Sequence, residues 1–385
     1  MMPTMRLFKF RIQTAFVLLA LMGLSAMPSI LSAQKIDVWV GTSGKDGIFH
    51  LKLDTASGKL SKPTCEIEIA GSGFLAMHPN GTVLYSTAKY EGESGIAAYS
   101  IERTAGDSTI KMLNFRQSGD GGAACVAVDK TGKVAMSAQY GGGSASTYTL
   151  KPDGAIEKLV GAVEHGPGSG VVENRQRTSH PHWVGTSPDN RFMFVPDLGK
   201  DAVVVYQLDT KTGKPTKHAE VETPPGSGPR HMKFHPSGKY AYVLNELTLT
   251  VSVFNYDAAS AGFKNIQLIE TLPAKQKDKH LNSAAEIRVH PSGKFVYTSN
   301  RGHDSITVFS VDQSTGKLTF IEHEHIRGAW PRNFNIDPSG KWLLAAGQHS
   351  NTLAVFEINQ KSGELTYARQ CVNIPNPICV LFKNE

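Results

Sequence analysis

GPRHMKFHPSGKYAYVLNEL, residues 228–247, is predicted to form two short β-strands joined by a tight turn. Apolar and aromatic residues lie on both sides of a Pro-Ser-Gly sequence at 236–238, which supplies the turn. In an antiparallel hairpin, the start of the first strand lies beside the end of the second. The stretch therefore predicts a hairpin that brings Arg230 and Glu246 together at the end away from the turn.

The same turn recurs along the chain at a nearly fixed interval. Its six copies begin with His, Asp or Ser and lie at 78–81, 129–132, 187–190, 235–238, 290–293 and 337–340. Successive copies are 47 to 58 residues apart, with apolar segments before and after them. Self-similarity with this period is typical of solenoids and propellers.

Each copy of the repeat contains four segments with strand character. A third apolar segment, such as 251–254, follows the hairpin, and a more polar fourth segment closes the unit. Four antiparallel strands per unit make a propeller blade, whereas the coils of a parallel β-helix are shorter. Six units are complete, and three segments are left over at 36–40, 48–53 and 378–382. We therefore predict an all-β, seven-bladed β-propeller over 34–385, with the N- and C-terminal strands closing the ring.

The first 33 residues differ from the rest of the chain. Arg6, Lys9 and Arg11 precede an apolar run at 15–24, and small residues follow as far as Ala33. This order is typical of a secretory signal, and the run is too short to span a bilayer comfortably. We expect residues 1–33 to be a signal peptide, with an uncleaved tether as the alternative. The mature chain would then be periplasmic or extracellular, without stable membrane association.

The formal net charge of +6 does not indicate nucleic-acid binding. Three basic residues and no acidic ones lie in the predicted signal, so its removal leaves a charge of +3. The sequence also has no cluster of Lys and Arg. No nucleic-acid partner is therefore expected.

The four cysteines do not indicate a metal site. Cys65, Cys125, Cys371 and Cys379 lack the spacing of zinc ligands. In an exported chain they have three possible disulfide pairings. We expect free and mostly buried thiols, because a chain of this size needs no covalent crosslinks to hold its core.

Equivalent positions of the repeat differ strongly at the hairpin end away from the turn. Five residues before each turn lie Gly73, Ala124, His182, Arg230, Ala285 and Arg332. Eight residues after each turn lie Lys89, Tyr140, Leu198, Glu246, Arg301 and Gln348. Positions that only support the fold should resemble one another in a repeat. We therefore predict a small-anion site at this end of the central channel, with a solvated charged rim as the alternative.

The histidines fall into two groups by their place in the repeat. His78, His235 and His290 occupy the first position of a turn and are predicted to be structural. His182 faces the other end and is preceded by His180 in a His-Pro-His sequence. Two imidazoles at this spacing are possible metal ligands. Since no third ligand stands at a fixed spacing, no metal is expected.

The Gly-rich segment 164–179 is the longest interruption of the repeat. It leads directly into His182 and is predicted to be a lid or rim loop, with a floppy insertion as the alternative. The sequence has no Gly-x-Ser-x-Gly motif and no cysteine in a nucleophile context, so covalent catalysis has little support.

The sequence resembles the lactonase β-propeller family, which groups cycloisomerase-type 6-phosphogluconolactonases with fungal carboxymuconate-lactonizing enzymes. The motifs that carry the resemblance are SPDNR and VPDLG in 187–199, the hairpin 228–247, SNRGHDSI in 299–306, and PRNFNIDPSGK with AAGQ in 331–348. The resemblance covers nearly all of 36–382 and implies seven blades. It also implies a catalytic cluster at His182, Arg230, Glu246 and Arg301. The chain departs from the family at Cys125, where a His is usual, and at Lys89, where an acidic residue is usual.

We expect a hydrolase that opens the lactone of an anionic sugar acid, as in 6-phosphogluconolactonases. Arg230 and Arg301 would hold the anionic group and the developing oxyanion, while His182 activates water and Glu246 orients it or shares its proton. The other predicted substrate-binding residues are Arg332, Gln348, Tyr140, Lys89 and His180. No cofactor is required, and a monomer is expected. Two alternatives stay open: a carboxymuconate cyclase-type lyase or isomerase, and an exported binding or scaffold propeller without catalysis.

Overall fold

The structure is a computed structural model that describes Met1 and residues 35–104, 107–277 and 282–383. The chain divides into two units, Met1–Ser32 and Ala33–Glu385. Apart from Met1, every described residue belongs to the second unit, so the predicted signal peptide lies outside the described residues. No helix in the described ranges is long and apolar enough to cross a membrane.

The described residues form seven four-stranded antiparallel sheets, which are the blades of the propeller. Blade 7 begins the chain with β1 (Lys35–Thr42), β2 (Ile48–Asp54) and β3 (Thr64–Ile67). Blade 1 contains β4 (Leu75–Met77), β5 (Val83–Tyr90), β6 (Glu93–Thr104) and β7 (Asp107–Gln117). Blade 2 contains β8 (Ala123–Val128), β9 (Val134–Gln139), β10 (Ser144–Leu150) and β11 (Ile156–Glu164). Blade 3 contains β12 (Gly185–Thr186), β13 (Phe192–Asp197), β14 (Ala202–Leu208) and β15 (Pro215–Glu222).

The remaining blades follow in the same order. Blade 4 contains β16 (Pro229–Phe234), β17 (Tyr240–Asn245), β18 (Thr250–Asp257) and β19 (Gly262–Glu270). A short helix, α1 (Ala274–Lys277), precedes blade 5, which contains β20 (Ser283–Val289), β21 (Phe295–Arg301), β22 (Ser305–Val311) and β23 (Leu318–His325). Blade 6 contains β24 (Pro331–Ile336), β25 (Trp342–Gly347), β26 (Thr352–Ile358) and β27 (Leu365–Asn373).

The two ends of the chain close the ring, as the sequence predicts. The last strand, β28 (Pro377–Phe382), pairs with β1 and becomes the inner strand of blade 7. It packs between β24 and β4, the inner strands of the neighbouring blades. The seven-bladed, all-β architecture is therefore confirmed, and a β-helix is excluded for the described residues.

Apolar side chains fill the spaces between neighbouring blades. Between blades 4 and 5, Tyr242, Val251, Ile287 and Val296 form one cluster and are fully buried. Each such aliphatic side chain contributes roughly 1.5–3 kcal/mol by leaving water. The outermost strands are more exposed. In β15, for example, most side chains after Pro215 reach solvent. The core thus lies between the blades and leaves the channel ends free to carry polar groups.

The histidines at the turns hold neighbouring blades together. Nε2 of His235 lies 3.0 Å from the carbonyl oxygen of Gly293, which belongs to the next turn along the chain. His290 contacts Gly340 in the same way at 2.8 Å, and His78 contacts Gly132 at 3.0 Å. Their structural role is therefore confirmed. We call this end of the channel the turn side and the opposite end the rim side.

Candidate active site at the rim side of the channel

Irregular pairing at the start of the inner strands brings the predicted rim residues together. In blade 4, Pro229 pairs with Asn245 and His231 pairs with Leu244. Arg230 is therefore an extra residue of the inner strand, without a cross-strand pairing partner on β17. Arg332 in blade 6 and Ala124 in blade 2 occupy the same bulge position. A bulge bends its strand and redirects a side chain, and bulges are frequent beside active sites. This geometry explains why one register of the repeat faces the channel.

Glu246 is the centre of the rim and binds three arginines. Its Oε2 lies 3.0 Å from Nε of Arg230 and 3.0 Å from Nη2 of Arg301. Its Oε1 accepts a 2.7 Å hydrogen bond from Nη2 of Arg175. Arg230 and Glu246 are nearly enclosed, with 2% and 4% of their surface exposed. The predicted contact between the two ends of the hairpin is therefore confirmed.

The charges around Glu246 determine its protonation. Burial alone would raise the pKa of Glu246, but Arg301, Arg230 and Arg175 outweigh it and lower the pKa to about 2. Burial and the repulsion of Arg301 and Arg332 lower the pKa of Arg230 to about 9, which still leaves its guanidinium charged near pH 7. Glu246 is thus ionised near pH 7 and paired with the arginines. Because its pKa is low, it is a poor proton acceptor.

His182 lies beside this cluster as a neutral, buried imidazole. Burial and the charge of Arg230 hold its pKa well below the ordinary 6.5. Its Nδ1 is buried without a hydrogen-bond partner among the described residues. The rings of Tyr140 and His231 each lie 5.3 Å from the His182 ring, edge to face. A neutral imidazole can accept a proton through the ring nitrogen that carries no hydrogen.

Two adjoining cavities of about 210 and 290 Å³ open at the rim, and we call them the rim cavities. Both are lined by Ala124, His182 and Arg332. Arg230 and His231 line the first, while the second is lined by Tyr140, Arg175, Glu246 and Arg301. The four predicted catalytic residues therefore line one or both of these cavities, although their catalytic roles stay predictions.

Arg332 differs from the other three arginines because it forms no ion pair with any residue that the structure describes. Burial and the charge of Arg301 lower its pKa. A guanidinium in such surroundings is stabilised by an anion, and it binds carboxylates and phosphates well. Arg332 is the rim group best placed to bind an anionic ligand.

The segment 164–179 lies over the rim, as predicted, and we call it the rim loop. Its Arg175 reaches Glu246 and also approaches the hydroxyl of Tyr140 at 3.4 Å. Gln176 anchors the loop by donating to Asp201 Oδ1 at 2.6 Å and to the carbonyl oxygen of Leu198 at 2.8 Å. The sequence places Arg175 in this loop but does not identify it as a site residue, because the loop has no counterpart in the repeat.

Asp201 fixes the rim loop relative to the hairpin that carries Arg230. Its carboxylate accepts from Ser169 and Gln176 in the loop, at 2.8 and 2.6 Å. It also accepts from the backbone N–H groups of Gly226 and Gly228, at 2.7 and 2.8 Å, just before β16. One buried carboxylate therefore positions both the loop and the strand.

Three predicted substrate-binding residues are not among those that line the rim cavities. Lys89 is exposed, because β5 continues to Tyr90 and pairs Lys89 with Ser94 on β6. His180 stacks on Tyr140 with ring centroids 4.5 Å apart, and its Nδ1 lies 2.8 Å from the Tyr140 carbonyl oxygen. Gln348 donates to the hydroxyl of Ser43 at 3.2 Å, across the boundary between blades 6 and 7. His180 thus supports Tyr140, whereas Lys89 and Gln348 lie around the site.

A second polar cluster below the rim is absent from the sequence prediction. Glu286 is fully buried and lies 3.1 Å from Nδ1 of His231 and 3.3 Å from Nη2 of Arg288. Asn333 donates to Oε2 of Glu286, the oxygen that faces Arg288. His231, Glu286 and Asn333 stand four positions before their turns, one position after the register that the sequence comparison uses. Residues four positions before each turn are the signal that would have found them.

Trp330 is a further rim residue that the sequence does not single out. Arg301 lies over its ring, 5.6 Å from the centroid, and His349 stacks on it at 4.8 Å. Its backbone is left-handed, with φ of 63°, which is uncommon for a bulky residue and often marks functional sites. Trp330 therefore restricts the position of Arg301.

The cysteines are free, but only two match the expected burial. Cys125 and Cys379 are buried, and burial raises the pKa of each to about 12, so both thiols are unreactive. Cys65 and Cys371 are exposed, so the prediction of burial is wrong for them, since both lie on the outermost strands of their blades. Within the described ranges, no group of three or more His, Cys, Asp or Glu could hold a metal ion.

Comparisons with known proteins agree with this fold over nearly the whole chain. Residues 37–382 match the family described as "Lactonase, 7-bladed beta-propeller". The 6-phosphogluconolactonase of Bacillus subtilis is 36% identical over 351 residues, which cover 90% of this chain and 98% of that protein.

Solved structures give the same result. A protein from Lactobacillus plantarum has a TM-score of 0.84 at 31% identity, covering 91% of this chain and 100% of its own. The periplasmic gluconolactonase of Pseudomonas aeruginosa also has a TM-score of 0.84, at 27% identity, covering 91% and 99%. Fold, identity and coverage confirm the resemblance that the sequence motifs predict.

Proposed function

Since this chain belongs to the family of seven-bladed β-propeller lactonases, we propose that it hydrolyses the lactone of an anionic sugar acid at the rim cavities. Membership of this family supports the coarser statement that the chain is a lactonase, an enzyme that opens cyclic esters. The similar protein from Bacillus subtilis is a 6-phosphogluconolactonase, which makes a phosphorylated sugar lactone the first substrate to test.

The charge balance of the rim supports an anionic substrate. Four arginines and a single carboxylate line the two rim cavities. Glu246 neutralises part of this charge, while Arg332 forms no ion pair of its own in the described part of the chain. Arginine binds phosphate or carboxylate through parallel hydrogen bonds. Arg332 is therefore the observation on which the substrate class rests.

His182 is the base that the geometry favours. As water attacks the lactone carbonyl carbon, neutral His182 accepts a proton from it, and the carbonyl oxygen becomes an oxyanion stabilised by the arginines. The ring C–O bond then breaks, and the imidazolium returns the proton to the leaving ring oxygen. The product is the open hydroxy acid, so one water is added and no cofactor is consumed.

Glu246 contributes by position in this mechanism. Its pKa of about 2 makes it a weak base near neutral pH, so sharing the proton of water, one of the two roles predicted for it, is not favoured. It instead holds Arg175, Arg230 and Arg301 in fixed positions around the substrate. Pre-oriented donors of this kind stabilise developing negative charge without reorganising during the reaction.

Export remains part of the proposal. The order of basic, apolar and small residues at 1–33 supports a cleaved signal, and the similar gluconolactonase of Pseudomonas aeruginosa is periplasmic. Fractionation of cells that express the full chain, compared with a chain starting at residue 34, tests it. Recovery of both forms in the cytoplasm would contradict export.

The substrate class is tested by assaying a phosphorylated and a neutral lactone of the same sugar acid with wild type and Arg332→Met. We expect the variant to raise KM for the phosphorylated lactone at least ~10-fold, while KM for the neutral lactone changes less than about 2-fold. Arg191→Met is the matched control, because Arg191 is exposed and paired with Asp189 on the turn side.

The same assay decides between the proposed function and its rivals. An equal rise in KM for both lactones in Arg332→Met would contradict an anionic substrate. Turnover of carboxymuconate without hydrolysis of either lactone would replace the hydrolase by the lyase alternative. Binding of the open sugar acid without turnover of any of these compounds would favour a binding propeller.

A further inference from the structure

The turn side of the channel contains a separate cavity of about 590 Å³, and we call it the turn-side cavity. Its walls include the inner strands of several blades, with Phe74, Val126, Trp183, Phe234 and Phe382 among its apolar residues. A volume of this size is typical of small-molecule sites. No step of the proposed lactone hydrolysis uses this cavity.

One register of the inner strands divides the wall of this cavity into two kinds of surface. Two positions before each turn lie Ala76, Ala127, Gly185, Lys233, Arg288 and Asn335. Blades 1 to 3 thus present small residues, while blades 4 and 5 present two cations. The small residues leave space in front of Lys233 and Arg288.

Lys233 and Arg288 are incompletely paired with negatively charged groups. Lys233 forms no ion pair with a described residue, and its Nζ lies 4.7 Å from the centroid of the Trp183 ring. Arg288 contacts Glu286 at 3.3 Å, but its Nε is buried without a hydrogen-bond partner in the described ranges. Glu286 is already shared with His231 and Asn333. One carboxylate therefore serves two cations.

A cation in apolar surroundings is costly unless an anion or dipole offsets it. Burial and the charge of Arg288 lower the pKa of Lys233 to about 8, which agrees with an incompletely paired ammonium group. Asp337 also lines the cavity, but its carboxylate accepts from the backbone of Trp342 and from Ser339 in its own turn. The protein supplies no second carboxylate to these cations among its described residues.

The turn-side cavity is distinct from the rim cavities. Phe74 is the one residue that lines both the turn-side cavity and a rim cavity. Between them lies the polar cluster of Glu286, His231 and Asn333. A ligand on the turn side would therefore not displace a substrate at the rim.

We propose that the turn-side cavity binds a small amphipathic carboxylate. Its carboxylate would lie between Nζ of Lys233 and the guanidinium group of Arg288, and its apolar body would pack against Trp183 and the small residues of blades 1 to 3. The ligand's carboxylate would thus give Lys233 the anionic partner that it lacks among the described residues and would give Arg288 a second one beside Glu286. The apolar walls favour a hydrophobic body over a sugar or a bare inorganic anion.

The test is calorimetric titration of the intact protein with benzoate, with benzyl alcohol and inorganic phosphate as comparison probes. We expect saturable binding of benzoate, with benzyl alcohol and phosphate each at least ~10-fold weaker. Lys233→Met should weaken benzoate at least ~10-fold and leave the affinity for benzyl alcohol nearly unchanged. The melting temperature should rise with benzoate in wild type and not in this variant.

Further variants separate loss of the site from loss of the fold. Methionine keeps the length and volume of lysine in an apolar wall, so Lys233→Met should melt at or above the wild-type temperature without ligand. Ala127→Leu fills the open side and should weaken benzoate without removing a charge, whereas Arg332→Met at the rim should not change its affinity. Absence of saturable benzoate binding, equal affinity of wild type and Lys233→Met, or phosphate binding as tight as benzoate would overturn the proposal.

Discussion

The two ends of the inner strands use the same repeat in opposite ways. At the turn side, His78, His235 and His290 contact equivalent glycine carbonyl oxygens of the next turn, at 2.8 to 3.0 Å. At the rim side, the equivalent residues of the same blades are Gly73, Arg230 and Ala285. The turn side therefore repeats a single contact in three blades, whereas the rim side of the same three blades presents three different residues.

This difference separates residues that hold the fold from residues that are available for chemistry. A side chain with the same backbone partner in several blades contributes to stability wherever it occurs. The rim side chains converge on Glu246 and the rim cavities and have no equivalent contacts in other blades. Divergence within a repeat thus indicates function without any comparison between species.

Glu246→Gln should have the largest effect, because it removes the carboxylate that three arginines share. Leaving buried guanidinium groups without their counter-ion should lower the free energy of unfolding by about 3 kcal/mol. Urea denaturation at pH 7 measures this effect. Glu222→Gln, at an exposed glutamate, is the control and should change stability by less than about 0.5 kcal/mol.

The same variant gives a pH signature with a definite sign. The folded pKa of Glu246, about 2, lies below its ordinary 4.5, so its contribution is complete above pH 4.5 and is lost as pH falls toward 2. The stability gap between wild type and Glu246→Gln should therefore narrow as pH decreases below 4.5. A gap that stays constant or widens would contradict the three-arginine arrangement.

Gly293→Ala tests the turn-side contact and should have the next largest effect. Gly293 has φ of +74°, and an added Cβ would lie 2.5 Å from Nε2 of His235. Backbone strain and loss of the contact should together cost about 2 kcal/mol of stability, with kcat unchanged. Gly141→Ala on the rim side, where a Cβ meets nothing within 4 Å, is the control. Equal melting temperatures of the two variants would refute the role of the turn.

Arg175→Ala should have the smallest effect on stability and a measurable effect on substrate binding. Because its side chain is 36% exposed, its ion pair with Glu246 should contribute no more than about 1 kcal/mol. We expect KM for a phosphorylated lactone to rise roughly 5-fold, since one cation leaves the rim. Arg177→Ala on the same loop is the control, because Arg177 is exposed and pairs with Glu173. A similar KM for both variants would exclude Arg175 from the site.

Much of the fold and part of the site could be predicted from the sequence because both follow the period of the repeat. The turns fix the number of blades, and the hairpin places Arg230 beside Glu246. Counting the same register in other blades leads to His182, Arg301 and Arg332, which line the rim cavities with them. The period of the repeat therefore predicts the blades and those site residues that stand at equivalent positions in them.

The remainder depends on local departures from the repeat. Arg175 lies in an insertion without a counterpart, so counting cannot find its contact with Glu246. The bulges at Arg230 and Arg332 redirect those side chains, although their residue types carry no signal for a bulge. In blade 1, β5 runs on to Tyr90 and leaves Lys89 exposed outside the rim cavities.

The most direct test of the account compares kcat for two variants, His182→Asn and His235→Asn, on the lactone that the wild type hydrolyses. Both histidines are buried and stand at opposite ends of the inner hairpins. We predict that His182→Asn lowers kcat at least ~100-fold with little loss of stability, whereas His235→Asn keeps kcat and loses about 1 kcal/mol of stability. Near-normal kcat in His182→Asn, or an equal loss of kcat in both variants, would contradict the assignment of chemistry to the rim and of structure to the turns.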